Sequence, residues 1–254
     1  MISIKSDYEI SLLRHAGNIV YRTHQYLKPY IKPGITTKEL DKLAYDFILS
    51  QDATPSFLNY NGFPGSICTS INDEVVHGIP SNRKLKNGDI IAIDIGACYK
   101  GYHGDSAWSY PVGTISKEKA YLLEHTEKAL YEGLNAIKPG NHISDISRAV
   151  ETYAHIHKLG VVEELVGHGV GNHLHEEPDV PNYVDKNLKK SPMLKVGMVI
   201  AVEPMLNLGT RQIYILDDDW TIITRDGEPS AHYEHTVVVT KDGYKILTGD
   251  DNFE

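Results

Sequence analysis

One four-residue string, Ile31-Lys32-Pro33-Gly34, returns 106 positions later as Ile137-Lys138-Pro139-Gly140. Alone, Lys-Pro-Gly is ordinary turn chemistry. Here each copy ends one helical pattern and precedes another, so the surrounding elements repeat as well. Ahead of the first copy, the capping box Ser6-Asp7-Tyr8-Glu9 opens a helix with Ile10, Leu13, Gly17 and Val20 at helical spacing, and Pro29 ends it. Behind it, a second box, Thr36-Thr37-Lys38-Glu39, opens a helix carrying Leu40, Leu43, Phe47 and Ile48. From about 55 to 107 the period changes, and short apolar runs at 66–70, 74–77 and 89–95, separated by Gly, Pro and Asn, read as strands. Helical patterns return at about 116–137 and 144–159, and strands from 166 onward. The order helices, strands, helices, strands predicts an α+β fold. The echo predicts two similar halves packed about a pseudo-twofold, with a site between them. No linker or low-complexity tract divides the 254 residues, so one domain spanning 1–254 is expected.

Charge and cysteine usage narrow the function classes. Lys and Arg number 25 against 34 Asp and Glu, a net charge of −9, which disfavours nucleic acid as the main ligand. Two cysteines, Cys68 and Cys98, make no disulfide framework and suit a reducing compartment. The N-terminus lacks the apolar core of a signal peptide, and no stretch approaches the ~18 apolar residues of a membrane span. A soluble cytoplasmic chain with no membrane partner is expected.

Three carboxylates stand inside or at the end of apolar runs. They are Asp94 in Ile90-Ile91-Ala92-Ile93-Asp94-Ile95, Glu203 after Met198-Val199-Ile200-Ala201-Val202, and Glu234 before His235-Thr236-Val237-Val238-Val239. A lone buried carboxylate is costly, so each must be paired, protonated or bound to a cation, unless it merely ends its strand and points into a turn. Asp105 joins them through a hairpin around Tyr99-Lys100-Gly101. With Tyr99 and Lys100 as the central turn residues, Asp94 faces Asp105 directly. A three-residue loop with Gly101 left-handed makes them diagonal neighbours. Facing carboxylates repel unless a cation lies between them, and a different register leaves two solvated acids.

Thirteen histidines are present, and three of them fall in Gly167-His168-Gly169-Val170-Gly171-Asn172-His173-Leu174-His175, while His77 adjoins a strand. Glycines beside His168 allow close backbone approach. The His-Glu-x-x-His helix of a zincin is missing. One imidazole with four carboxylates suits Mn, Fe(II), Co or Zn, and overcharges a single site, so a pair of ions fits better. Two such ions with bridging carboxylates make a hydrolytic centre.

The set Asp94, Asp105, His168, Glu203 and Glu234 lies in the strings Ile-Asp-Ile-Gly, His-Gly-Asp-Ser, Gly-His-Gly-Val-Gly, His-Glu-Glu-Pro, Val-Glu-Pro-Met and Tyr-Glu-His-Thr. Together these resemble the methionine aminopeptidases over about residues 6 to 249. The resemblance implies the pseudo-symmetric "pita-bread" α+β fold, with an antiparallel sheet and helices outside. It implies two divalent ions (Co, Mn, Fe(II) or Zn), Asp94 on one, His168 and Glu203 on the other, and Asp105 and Glu234 bridging. A hydroxide between the ions would attack the first peptide carbonyl, with Glu203 shuttling the proton. His77 and His175 resemble the family's substrate-facing histidines, and Tyr60, Phe63, Cys68, Leu174 and Trp220 would line the methionine pocket. The substrate amine would dock near Asp94.

Glu234 follows Glu203 by only 31 positions, without the helical insertion of the family's second type, so the first, bacterial-style type is implied. The related proline-specific peptidases usually carry an extra N-terminal domain, which is not seen here. The implied substrates are nascent chains with N-terminal methionine and a small second residue, the implied state is a monomer, and transient ribosome contact would follow. His232 stands where Gln is common, and His173 falls at a variable position that suits the rim rather than a ligand. A catalytically dead relative acting as a binding module would be expected to have lost ligands, yet all five positions are intact.

Overall fold

Both capping boxes form as the sequence requires. In α1 (Asp7–Leu27) Ser6 accepts from the Glu9 N–H and Glu9 reaches back to Ser6. In α2 (Thr37–Ser50) Thr36 and Glu39 do the same. The computed structural model describes residues 2–185 and 191–250. After α2 come β1 (Thr54–Pro55), β2 (Ile67–Ile71), β3 (Glu74–Val76), β4 (Ile90–Tyr99) and β5 (Tyr102–Pro111). Two further helices follow, α3 (Lys117–Asn135) and α4 (Ile143–Ile156). Then come β6 (Gly160–Val161), β7 (Gly167–Gly169), β8 (Glu176–Val180), β9 (Val199–Val202) and β10 (Met205–Asn207). The last strands are β11 (Ile213–Ile215), β12 (Ile222–Thr224), β13 (Ser230–His232), β14 (His235–Thr240) and β15 (Gly243–Ile246).

The two halves are visible in the pairing. In one, β4 pairs antiparallel with β1, β2 and β5. In the other, the order is β15-β14-β9-β7-β8. Ile19, Val20, Leu40, Ala44 and Ile48 of α1 and α2 share a core with Ile91, Ile93 and Ile95. Leu130, Leu134, Ile146 and Val150 of α3 and α4 share another with Ile200, Val202 and Val237. Helices thus cover the outer faces, and the strands meet in the middle.

The echoed turns make matching contacts. Gly34 N–H donates to Leu85 O at 2.8 Å and Gly140 N–H to Leu194 O at 3.1 Å. Leu85 N–H donates to Ile35 O at 2.9 Å, and Leu194 N–H to Asn141 O at 2.8 Å. Their partners begin a longer repeat, LKNGDIIAID at 85–94 against LKVGMVIAVE at 194–203, which ends on Asp94 in one half and Glu203 in the other. These two acids are therefore pseudo-symmetry mates.

The hairpin register differs from both sequence readings. Tyr99 pairs with Tyr102, so Lys100 (φ 49°) and Gly101 (φ 82°) are the central residues. A tight two-residue turn that matches strand twist needs positive φ at both centres, and placing Gly at the second satisfies this better than placing Tyr at the first. Asp94 accordingly faces Ala107 and Asp105 faces Gly96. The two acids are diagonal neighbours on one face, reached by a two-residue turn and not by a three-residue loop.

Candidate functional site

A cavity of about 390 Å³ opens between the halves, and every site residue expected from the sequence except the rim histidine His173 lines it. Two pairs of strands bring the acids together. Asp94 is on β4 and Asp105 on β5, while Glu203 and Glu234 follow β9 and β13. The sheets are stitched where β5 meets β14. Glu234 N–H donates to Ala107 O at 2.8 Å, Ser106 Oγ donates to Glu234 O at 2.6 Å, and Thr236 Oγ1 donates to Asp105 O at 2.7 Å. These bonds hold the Asp105 and Glu234 backbones side by side.

His168 Nε2 lies 3.8 Å from Asp105 Oδ2 and 3.6 Å from Glu203 Oε1. Its Nδ1 is 2.9 Å from the Gly169 carbonyl, and a proton donated there leaves Nε2 free as a ligand. Among the described residues, ligand atoms of Asp105, His168 and Glu234 lie within 4.8 Å of one another, as do those of Glu203, His232 and Glu234. Glu234 belongs to both groups, the arrangement expected of a shared ligand.

The electrostatics favour cations. Burial, then mutual repulsion, raises the carboxyls of Asp105 and Glu234 well above the ordinary carboxylate range. Burial pushes Asp94 up to about 7, and nearby Glu203 adds to this while His232 opposes it. Burial presses Glu203 the same way, but the imidazoles of His232, His168 and His175 outweigh it and hold Glu203 below its usual value. Asp94 Oδ1, Asp105 Oδ1 and Glu234 Oε1 are buried without hydrogen-bond partners. Buried oxygens in that state are costly unless a proton or cation satisfies them. The oxygen-rich set with imidazole is chemically suited to Mn, Fe(II), Co or Zn, so these residues fit divalent ions.

The rest of the cavity is apolar. Phe57, Phe63, Cys68 and Leu174 form one buried cluster, with Ile79 and Trp220 packed against it. Cys68 pairs with Asp94 across β2 and β4, which sets this wall directly against the acids. Burial, and then the acids around it, raise the Cys68 thiol far above its ordinary value, so it remains a neutral, soft wall. His175 stands at the mouth, its ring centroid 4.1 Å from that of His168 and its Nδ1 2.9 Å from Tyr60 Oη. Solvent reaches one side of this ring, yet the surrounding walls and then His168 press its pKa down to about 4, a direction that leaves it neutral at pH 7. His77, with φ 58°, is likewise lowered by burial and sits edge-on to Trp220.

Sequence reasoning did not single out Phe57 or Asn182. Phe57 belongs to the apolar wall, and Asn182 Nδ2 donates to Glu203 O at 3.0 Å. Neither stands out in sequence, since one is an ordinary core aromatic and the other a loop amide. The signal for Asp94 and Glu203 as a matched pair was available in the ten-residue repeat.

Comparison with known proteins agrees with this geometry. Residues 11–241 match metallopeptidase family M24. The chain is 56% identical to methionine aminopeptidase 1 of Bacillus subtilis over 248 residues, covering 98% of this chain and 99% of the relative. The crystal structure of methionine aminopeptidase from Rickettsia prowazekii superposes with TM-score 0.95 at 40% identity, covering 98% of this chain and all of that one. Prolidase from Pyrococcus furiosus, at 23% identity, shares the fold with TM-score 0.79 over 98% of this chain and 66% of its own. The chain therefore belongs to the methionine aminopeptidases of metallopeptidase family M24, whose pita-bread fold it has.

Proposed function

We propose that the cavity removes N-terminal methionine from nascent polypeptides with a small second residue, and that residues 1–254 act as one catalytic unit in the cytoplasm. The observation that carries this reading is the convergence of Asp94, Asp105, His168, Glu203 and Glu234 on the floor of a cavity whose wall is apolar. Asp94 would hold one divalent ion, His168 and Glu203 a second, and Asp105 and Glu234 would be shared. When bound, the ions supply Lewis acidity to the scissile carbonyl and make water ionise near neutral pH.

The protein's own groups do the rest. Phe57, Phe63, Cys68, Leu174 and Trp220 exclude water and take the unbranched thioether side chain. Tyr60 orients His175 through its hydroxyl. His175 and His77, both neutral near pH 7, present N–H groups where negative charge builds on the substrate carbonyl. Glu203 takes the proton of the attacking water and passes it to the leaving amine. Asp94, at the floor of the cavity, would meet the free α-amine, which would restrict cleavage to the first residue. The monomer is the working unit, with transient ribosome contact during synthesis.

The test is release of free methionine by protein loaded with Mn, Fe(II), Co or Zn. Met-Ala-Ser should be cleaved readily, a Met-Leu peptide hardly, and an Ala-Pro peptide not at all. Failure to release methionine with any of the four metals would sink the proposal, and preference for Ala-Pro would assign a prolidase-like activity instead.

A further inference from the structure

We infer that His232 is a positioning residue of the centre, whose Nε2–H restrains Glu203 Oε2 so that Oε1 is the atom offered to the cation beside His168. The inference rests on the assignment of Glu203 to that centre. Glu203 lies between two imidazoles, with Oε1 3.6 Å from His168 Nε2 and Oε2 3.4 Å from His232 Nε2. The two rings differ in what else they hold. His168 Nδ1 is tied to a backbone carbonyl, so its Nε2 is presented as a ligand. His232 Nε2 is buried and has no hydrogen bond of ordinary geometry. A buried N–H left unmade costs free energy, and the carboxylate oxygen at 3.4 Å is an acceptor within reach.

His232 is held in place independently of Glu203. Its N–H donates to Ser109 Oγ at 3.0 Å, Ser109 Oγ donates to its carbonyl at 2.9 Å, and it pairs with Met205 across β10 and β13. These bonds anchor the backbone of His232, and its ring, only 2% exposed, is confined by burial beside the carboxylate. A movement of about 0.5–0.7 Å by the Glu203 carboxylate turns the 3.4 Å contact into a charge-assisted bond of about 2.7–2.9 Å. Asn182 fixes the other end of the residue by donating to the Glu203 carbonyl. Backbone and carboxylate are then both restrained, and the carboxylate cannot turn away from His168.

The experiment uses the full-length protein stripped of metal and titrated calorimetrically with Co²⁺, with visible spectra of the loaded forms. His232→Leu removes the donor and should weaken one of the bound equivalents about 10–100-fold, the usual effect of losing a partner behind a ligand. His232→Gln keeps an N–H in reach and should bind within about 3-fold of wild type, with unchanged cobalt bands. Wild-type affinity in a folded His232→Leu would overturn the inference. A shift of the cobalt bands in His232→Gln would overturn it too, because His232 would then be a ligand itself. Glu203→Gln in the same titration checks the underlying assignment. If that variant binds cobalt like wild type, Glu203 is no ligand and both readings fall.

Discussion

Replacing Lys5 by Met isolates a contact that ties the N-terminal segment to the loop carrying His175. Lys5 Nζ lies 2.6 Å from Glu176 Oε2, with side-chain exposures of 4% and 13%, and 3.0 Å from Ser3 Oγ. Glu176 Oε1 accepts from the His173 N–H at 3.2 Å. A Cβ at Gly171 would fall 2.2 Å from both Lys5 Nζ and Glu176 Oε1, so the loop closes directly over the pair. At an effective dielectric of ~20, the attraction across 2.6 Å is about 6 kcal/mol, and desolvation of the two ions offsets much of it. Met keeps the apolar stem but leaves the partly buried Glu176 without its cation, which should cost about 2–4 kcal/mol. Urea denaturation of Lys5→Met, Glu176→Gln and the double variant measures this. The double variant should be less damaged than the sum of the singles, with a coupling of about 2–3 kcal/mol. Because the freed loop carries Leu174 and His175, Lys5→Met should also lower kcat at unchanged metal content. A loss below about 1 kcal/mol, or simple additivity, would refute the buried-pair argument.

Three further outcomes follow from the same geometry. Gly17→Ala should gain about 1 kcal/mol by helix propensity, but its Cβ would meet Leu247 O at 2.3 Å, so a net loss of about 1–3 kcal/mol is expected in thermal melts, and a stabilised variant would contradict the packing. His24 is buried, which lowers its pKa to about 4. Its folded value lies below its unfolded value of about 6.5, so its stabilising effect is complete above pH 6.5 and is lost as pH falls toward 4, by of order 3 kcal/mol at most. The urea midpoint of His24→Gln should therefore vary less with pH across that window, and an unchanged slope would count against it. Asp105→Ala should abolish methionine release while the metal-free protein melts no lower than wild type, because one member of a repelling group is removed; retained activity would void the ligand assignment.

Local chemistry was legible where a few neighbouring residues decide the outcome. Both predicted capping boxes formed, and the apolar run ending at Asp94 became β4. Acids within such runs marked the site because burying them unpaired is costly. The hairpin was missed by one turn position, since Tyr99, Lys100 and Gly101 offer several turns and only the sheet chooses among them. Contacts across the fold could not be read at all. Nothing near Lys5 announces Glu176, and nothing near Tyr60 announces His175. The histidine surplus resolves in the same way. His24 and His235 are buried and neutral, His125 and His157 stack at 3.8 Å, and His103 meets Ser56 at 2.9 Å. Each of these roles depends on distant partners. The apolar wall was reached by family resemblance, because Phe63, Leu174 and Trp220 look like ordinary core.

Anomalous diffraction at the cobalt or manganese edge, from crystals of the metal-loaded protein, tests the central assignment most directly. Two peaks are expected in the cavity, each about 2.0–2.2 Å from its ligands. One should touch Asp94 and the other His168 and Glu203, with Asp105 and Glu234 reaching both. Peaks away from these five side chains, or a fully loaded crystal with none among them, would contradict the account.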